Sequence, residues 1–326
     1  MILALGTVTL DRVEDANGAV REGPGGSAPY FAAAATRHHD VRVVGVVGPD
    51  YPRAPLDRLQ ALGVDLGGIR SSAEPSQRWH ARYDRDGNRT TLSSDRRILE
   101  GFRPDLTDEE KAAQALFLGS IDPAVQGHVL RQWLPVLRGP YDRGSVPPPA
   151  PRDRVRVVAL DSMSHWIGSR RDDLVTLLPH LTVLFGTSDE LLELGDRASI
   201  EDAVAALLDL GPDLIVEKRG RAGARAYAWP TPDIAATERA RGMQPPRERR
   251  ILTWTATTTP ISAPDPTGAG DAFCGGFFGK WVECQPLRSE PGHSPGLDSQ
   301  LLQVCLVAGV EAGTRAASVP SWETLR

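Results

Sequence analysis

The seven residues Asp265-Pro266-Thr267-Gly268-Ala269-Gly270-Asp271 set an acid directly behind a glycine turn. Gly268 and Gly270, with only Ala269 between them, let the backbone turn sharply and bring its N–H groups close to a ligand. The apolar run Ala272–Phe278 that follows can continue as a helix, whose first amides and positive dipole end face the same point. Negative charge developing there is stabilised. Asp271 falls in the first helical turn, where the dipole favours its ionised form and it can accept a proton from an attacking hydroxyl. The chemistry indicated is phosphoryl transfer, with Asp271 as catalytic base and the amides of Gly268, Ala269 and Gly270 as an anion cradle.

Such a site needs a scaffold, and the apolar pattern supplies one. Short apolar runs at 2–10, 41–47, 116–118, 155–160, 182–185 and 214–216 have the character of strands covered on both faces. Helical spacing occupies 28–38, 56–61, 125–137, 172–178, 189–194 and 199–210. Alternation of strand and helix predicts a mainly parallel sheet wrapped by helices. Two segments break the rhythm: residues 11–22 read as a hairpin turning at Asn17-Gly18, and 77–93 as a second one turning near Asp86-Gly87-Asn88. In the second, Gln77, Trp79, Ala81 and Tyr83 share one face and Arg78, His80, Arg82 and Asp84 the other. A small antiparallel flap, from about 11–25 and 76–96, is therefore expected on a single domain spanning 1–326. Stretches rich in Pro, Gly and charge at 139–151, 229–250 and 285–296 read as surface insertions.

Composition narrows the function class. A net charge of −5 argues against general nucleic-acid affinity. Lysine occurs only at positions 111, 218 and 280, so a phosphate site that requires an ammonium has few candidates. Cys274, Cys284 and Cys305 have neither disulfide nor zinc spacing, no apolar stretch is long enough for a membrane span, and the N-terminus lacks a basic signal region. A cytoplasmic location is expected. The stretch Gly275–Trp281 is one residue too short for a P-loop and ends on Trp281 where a Ser or Thr is needed.

Taken together, the strand–helix alternation, the early Gly25-Gly26-Ser27-Ala28 segment, the flap and the late Gly-Ala-Gly-Asp helix resemble the ribokinase-like (PfkB) family of carbohydrate and nucleoside kinases. The resemblance spans nearly the whole chain. It implies a three-layer α/β/α fold, ATP as donor with Mg2+, and a sugar or nucleoside hydroxyl, expected to be a primary one, as acceptor. On the same basis Asp11, Gly25 and Gly26 are expected to contact substrate hydroxyls. Lys218 or Arg219, with Gly220 and Gly223, is expected to border the nucleotide phosphates beside Thr267, and Glu190 to help order magnesium.

Two positions depart from the family pattern. Thr187 stands where an Asn usually precedes the glutamate by three residues, and by residue type Thr187 or Ser188 also suits a helix cap. Tyr30 stands near the place of a substrate-touching Asn, so acceptor choice is expected to differ from that of ribokinase. Trp166, after the strand ending near Asp161, is a candidate to stack on a substrate ring. Trp79 and Tyr83 suit either homodimerisation through the flap or closure over substrate. Besides a sugar kinase, a nucleoside kinase or a non-catalytic nucleotide- or sugar-binding regulator stays open, the regulator being disfavoured by retention of both Asp271 and Glu190.

Overall fold

A computed structural model of the chain describes residues 1–84, 89–134, 156–161, 163–230, 250–258, 266–284 and 299–319. The insertions expected at 139–151 and 285–296, most of that at 229–250, the turn at 86–88 and Asp265 lie outside the described residues.

Nine strands form the central sheet: β1 (Ile2–Leu5), β4 (Val41–Val47), β5 (Asp65–Ser71), β8 (Ala115–Leu118), β9 (Val157–Asp161), β10 (Val183–Thr187), β11 (Leu214–Lys218), β12 (Ala224–Ala228) and β13 (Leu252–Ala256). Their spatial order is β13-β12-β11-β10-β9-β8-β1-β4-β5. All neighbours from β5 to β11 run parallel, and β12 and β13 add an antiparallel edge. Side chains alternate between two cores, as the pleat requires. Ile2, Ala4, Val183, Phe185, Leu214 and Val216 enter one, and Leu3, Leu5, Leu184 and Ile215 enter the other.

The first core lies under helices α1 (Ser27–Ala35), α9 (Ala269–Cys284) and α10 (Ser299–Ala317). Against the opposite face pack α5 (Pro123–Trp133), α6 (Ser164–Leu177), α7 (Ser188–Gly195) and α8 (Ile200–Asp209). The architecture is the expected three-layer α/β/α. No helix among the described residues is long and apolar enough to cross a membrane.

A second sheet, in the order β3-β2-β6-β7, is the flap. Its hairpins β2 (Thr9–Glu14) with β3 (Val20–Gly25), and β6 (Gln77–Tyr83) with β7 (Arg89–Asp95), are antiparallel, and they join through a parallel β2–β6 pair. Its outer face carries the predicted charges: His80 Nε2 and Arg82 Nε both meet Glu14, at 2.9 and 2.8 Å.

The apolar run 2–10, expected to be one strand, is two. It breaks between Leu5 and Thr9, passing from the central sheet into the flap. Packing causes the break: a Cβ on Gly6 would lie 2.5 Å from Ser27 Oγ, while Thr7 N–H donates to Ser27 Oγ and Ser27 N–H donates to Thr7 Oγ1, each at 3.2 Å. Helix α6 begins earlier than expected, because Arg170 at φ −144° interrupts the helical backbone and only the half beyond it carries a clear apolar period. Strands β5 and β13 were not anticipated: β5 is the polar edge segment Asp-Leu-Gly-Gly-Ile-Arg-Ser, and β13 alternates Thr with Leu and Trp. The two single-turn helices α3 (Arg97–Glu100) and α4 (Asp108–Lys111) were also missed.

Helix α9 is wedged between α1 and α10 through its glycines. A Cβ on Gly275 would lie 2.2 Å from the Phe31 carbonyl oxygen, and one on Gly276 would lie 2.6 Å from that of Ala308. Such contacts against backbone cannot relax without moving a helix. Gly275→Ala is therefore expected to destabilise the fold by about 1–3 kcal/mol, despite alanine's gain of about 1 kcal/mol in helix propensity. Gly101→Ala, where a Cβ meets nothing within 4 Å, is the control and should stay within about 0.5 kcal/mol of the parent. Urea denaturation of both variants checks this, and a Gly275→Ala protein as stable as the control would show that the wedge has room.

Candidate active site

Parallel strands end together, and here β9, β10 and β11 deliver Asp161, Thr187 and Lys218 to one edge of the sheet. Lys218 reaches past β10 to Asp161, two strands away, and its Nζ donates to Asp161 Oδ1 at 2.5 Å. Only a side chain of lysine length spans that gap, since neighbouring strands lie about 4.8 Å apart. Above this edge, between the sheet and the flap, opens a cleft of about 560 Å³.

The glycine turn enters the cleft from the α9 side. Gly268 adopts φ +75°, and a Cβ there would lie 2.4 Å from the ring of Tyr30, so both conformation and space demand glycine. Tyr30 is thereby the floor of the turn as well as a cleft residue. Ala269 N–H donates to Pro266 O at 3.1 Å, which closes the turn and takes this amide out of the cradle. Among the described residues no acceptor answers the amides of Gly270 and Asp271, and Lys218 Nζ lies 3.5 Å from where a Cβ on Gly270 would stand. Two amides and an ammonium thus share one place at a helix N-terminus, an arrangement suited to a phosphoryl group.

Asp271 lines the same cleft. Burial, and then the nearby Asp161, push its carboxyl from the ordinary range up to about 7, while Lys218 and the flap's Arg89 pull the other way. Burial is the strongest influence on Lys218 and works against its charge, but the surrounding acidic groups, Asp161 foremost, together outweigh it and hold the ammonium above its ordinary pKa. Burial likewise raises Asp161, against the pull of Lys218. One turn beyond Asp271, the thiol of Cys274 is raised well above its usual value, by burial and then by Asp161. It therefore stays a neutral group under the ion pair.

Glu190 is buried at the cleft and doubly oriented. Its Oε2 accepts from Thr187 N–H at 2.8 Å, and its Oε1 accepts from Ser164 N–H at 3.2 Å. Thr187 Oγ1 accepts from Glu190 N–H at 3.3 Å, completing a capping box at the start of α7. Thr187 thus does serve as the cap. Among the described residues no group of three or more His, Cys, Asp or Glu side chains is arranged to hold a metal ion. The carboxylate of Glu190 retains lone pairs for water, so the residues fit an ion arriving with phosphates and held through water rather than one ligated directly.

On the flap side Asp11 Oδ1 accepts from Thr9 Oγ1 at 2.5 Å. Its carboxylate lies over Gly25, where a Cβ would come within 1.9 Å of Oδ2, and Gly26 at φ +101° would bring a Cβ 2.2 Å from Thr7 O. Asp11, Gly26, Tyr30, Trp166, Thr187, Glu190, Lys218, Gly220 and Thr267 through Asp271 therefore border one cleft. Gly25 and Gly223 do not border it. Gly25 makes room for Asp11, and Gly223 at φ +89° faces Ala256 O, 2.0 Å from where its Cβ would be. Arg219 turns away to Glu217, at 3.7 Å.

Trp79 and Tyr83 line the cleft roof, and Thr267 Oγ1 donates to Tyr83 O–H at 3.3 Å, tying flap to glycine turn. Asp161, Arg89 and Arg96 also line the cleft, and nothing in the sequence analysis gave them a role. Asp161 was visible there only as the end of a strand.

Known proteins share this architecture. The chain is 24% identical over 293 residues to a cytidine kinase of Thermococcus kodakarensis, covering 88% of this chain and 90% of that protein. Among solved structures, the fructokinase of Vibrio cholerae with fructose, ADP and calcium bound superposes with a TM-score of 0.67 at 18% identity, covering 99% of this chain and 95% of that one. Aminoimidazole riboside kinase of Salmonella enterica, in complex with aminoimidazole riboside and an ATP analogue, gives 0.66 at 17% identity over 100% and 96%. These likenesses establish the ribokinase-like fold. With the pfkB family carbohydrate kinase model matching residues 2–289, the chain belongs to that family of kinases.

Proposed function

We propose that this protein transfers the γ-phosphate of ATP to a hydroxyl, a primary one, of a sugar or sugar-like acceptor bound between Asp11 and Asp271. The observation that carries the reading is the meeting of Asp271, the Gly270 and Asp271 amides and Lys218 at one open point of the cleft. The kinases named above and the ATP analogue in one of them support ATP as donor.

Asp11 accepts hydrogen bonds from acceptor hydroxyls, and its rigid seat over Gly25 fixes their direction. Asp271 takes the proton from the attacking oxygen. Its raised pKa makes it a stronger base than an exposed carboxylate, while leaving it about half ionised near neutrality. The amides of Gly270 and Asp271, with Lys218, receive the charge that spreads onto the transferring oxygens, an effect worth about 3 kcal/mol per donor in comparable sites. Magnesium, when bound with the nucleotide, would neutralise the phosphates. Glu190 would hold that ion through its waters. Trp79, Tyr83 and the Tyr83–Thr267 contact exclude bulk water from the transfer point.

Asp271→Asn is expected to lower kcat about 100-fold or more with ATP and an accepted substrate. Turnover equal to the parent would remove Asp271 as the base. The pH profile has a definite sign: because the carboxyl must be ionised to act and its pKa is near 7, kcat/KM should rise with pH through about 7 and level off above it. A profile flat from about pH 5.5 to 8 would contradict the assignment. Removing the cation that favours the ionised form, in Lys218→Met, should move the acid limb to higher pH. An unmoved limb would show that Lys218 does not act on the base.

A further inference from the structure

Arg96 follows the last flap strand, lines the cleft and has no acidic partner among the described residues. Its neighbour Arg97 differs, with Nη2 2.6 Å from Asp95 Oδ2. Arg96 Nε donates to Ser94 Oγ at 3.0 Å, Nη1 donates to His165 Nε2 at 2.6 Å, and Cζ lies 5.3 Å from the ring centroid of Trp166. All three neighbours are neutral. Burial, and then Arg96 itself, lower the pKa of His165, so the ring stays an uncharged acceptor, and burial lowers that of Arg96 as well. A guanidinium taken partly out of water and held by neutral groups keeps its full charge facing the cleft, with Nη2 unanswered among the described residues. It also covers a face of Trp166, the residue expected to stack on a substrate ring.

The flap cation that acts on the Asp271 carboxyl is Arg89. We propose that Arg96, oriented by Ser94, His165 and Trp166, receives a carboxylate or phosphate group carried by the acceptor substrate away from its reacting hydroxyl. The acceptor is then an anionic sugar rather than a neutral sugar or a nucleoside. This rests on the kinase reading, deepens it, and is tested by binding rather than turnover.

The test is calorimetric titration of the full chain, with ADP and magnesium present, against matched ligands: ribose and ribonate; glucose and gluconate; fructose and fructose 6-phosphate. The expected result is that one anionic member binds about tenfold or more tightly than its neutral counterpart and weakens as salt rises. The carboxylate and phosphate arms identify which anion is taken. Arg96→Gln should remove that preference, and Arg96→Lys, which keeps the charge without the fork, should restore part of it. ADP affinity, measured on each variant, reports whether the fold and nucleotide site are intact. Neutral sugars binding as tightly as their anionic partners, or a preference that survives Arg96→Gln, would overturn the inference. Phosphorylation of a neutral sugar with KM unchanged in Arg96→Gln would overturn it and leave the kinase reading standing. Arg96-dependent binding of an anionic sugar that is never phosphorylated would have the opposite meaning.

Discussion

Asp161 and Lys218 hold opposite charges 2.5 Å apart with little of either side chain open to solvent. Such a pair is costly to desolvate, and removing one member commonly destabilises by about 3–5 kcal/mol because the other is left buried and unmatched. The sheet edge is organised around that requirement. Two strands must end level with each other so that the lysine can cross the strand between them. Glu190 and Asp271, both acidic, share the field of the same ammonium. One lysine therefore faces three carboxyl groups, and this excess of negative charge, added to burial, lifts Asp271 to where proton transfer at neutral pH becomes practical.

How much of this could be read in the chain depends on whether a residue's role is local. Gly268 and Asp271 were legible because a positive φ and a helix N-terminus restrict residue choice within a few positions of sequence. A helix cap at Thr187 or Ser188 was legible for the same reason, and Thr187 is the one that takes it, with Glu190. The flap followed from the turn at Asn17-Gly18 and from the alternation of 77–84. Asp161 was not legible as a partner of Lys218, since 57 residues separate them and only the strand order joins them. Arg96 was equally silent, because in sequence it is one more arginine beside Arg97, and its neutral surroundings arise from a helix 69 residues away. The strands β5 and β13 were missed where edge position relaxes the demand for apolar residues.

Glycines illustrate a second limit. Those at 268 and 26 declare a backbone angle, whereas Gly275, Gly276 and Gly279 are helical and carry no such sign. Their meaning lies in the helices α1 and α10 pressed against them. That pressing fixes the axis of α9, and hence where its first turn points, so the site's geometry depends on packing well away from the chemistry.

The break at residues 6–8 separates the two acids of the site mechanically. Asp271 is anchored to the body by α9, but Asp11 rides on β2, a strand of the small sheet. Any tilt of that sheet about Gly6–Val8 changes the distance between the group that would grip the acceptor and the group that would deprotonate it. On the proposed reading, acceptor grip and roof position would be one variable, and a molecule lacking hydroxyls for Asp11 to hold would give the small sheet no cause to settle over the cleft.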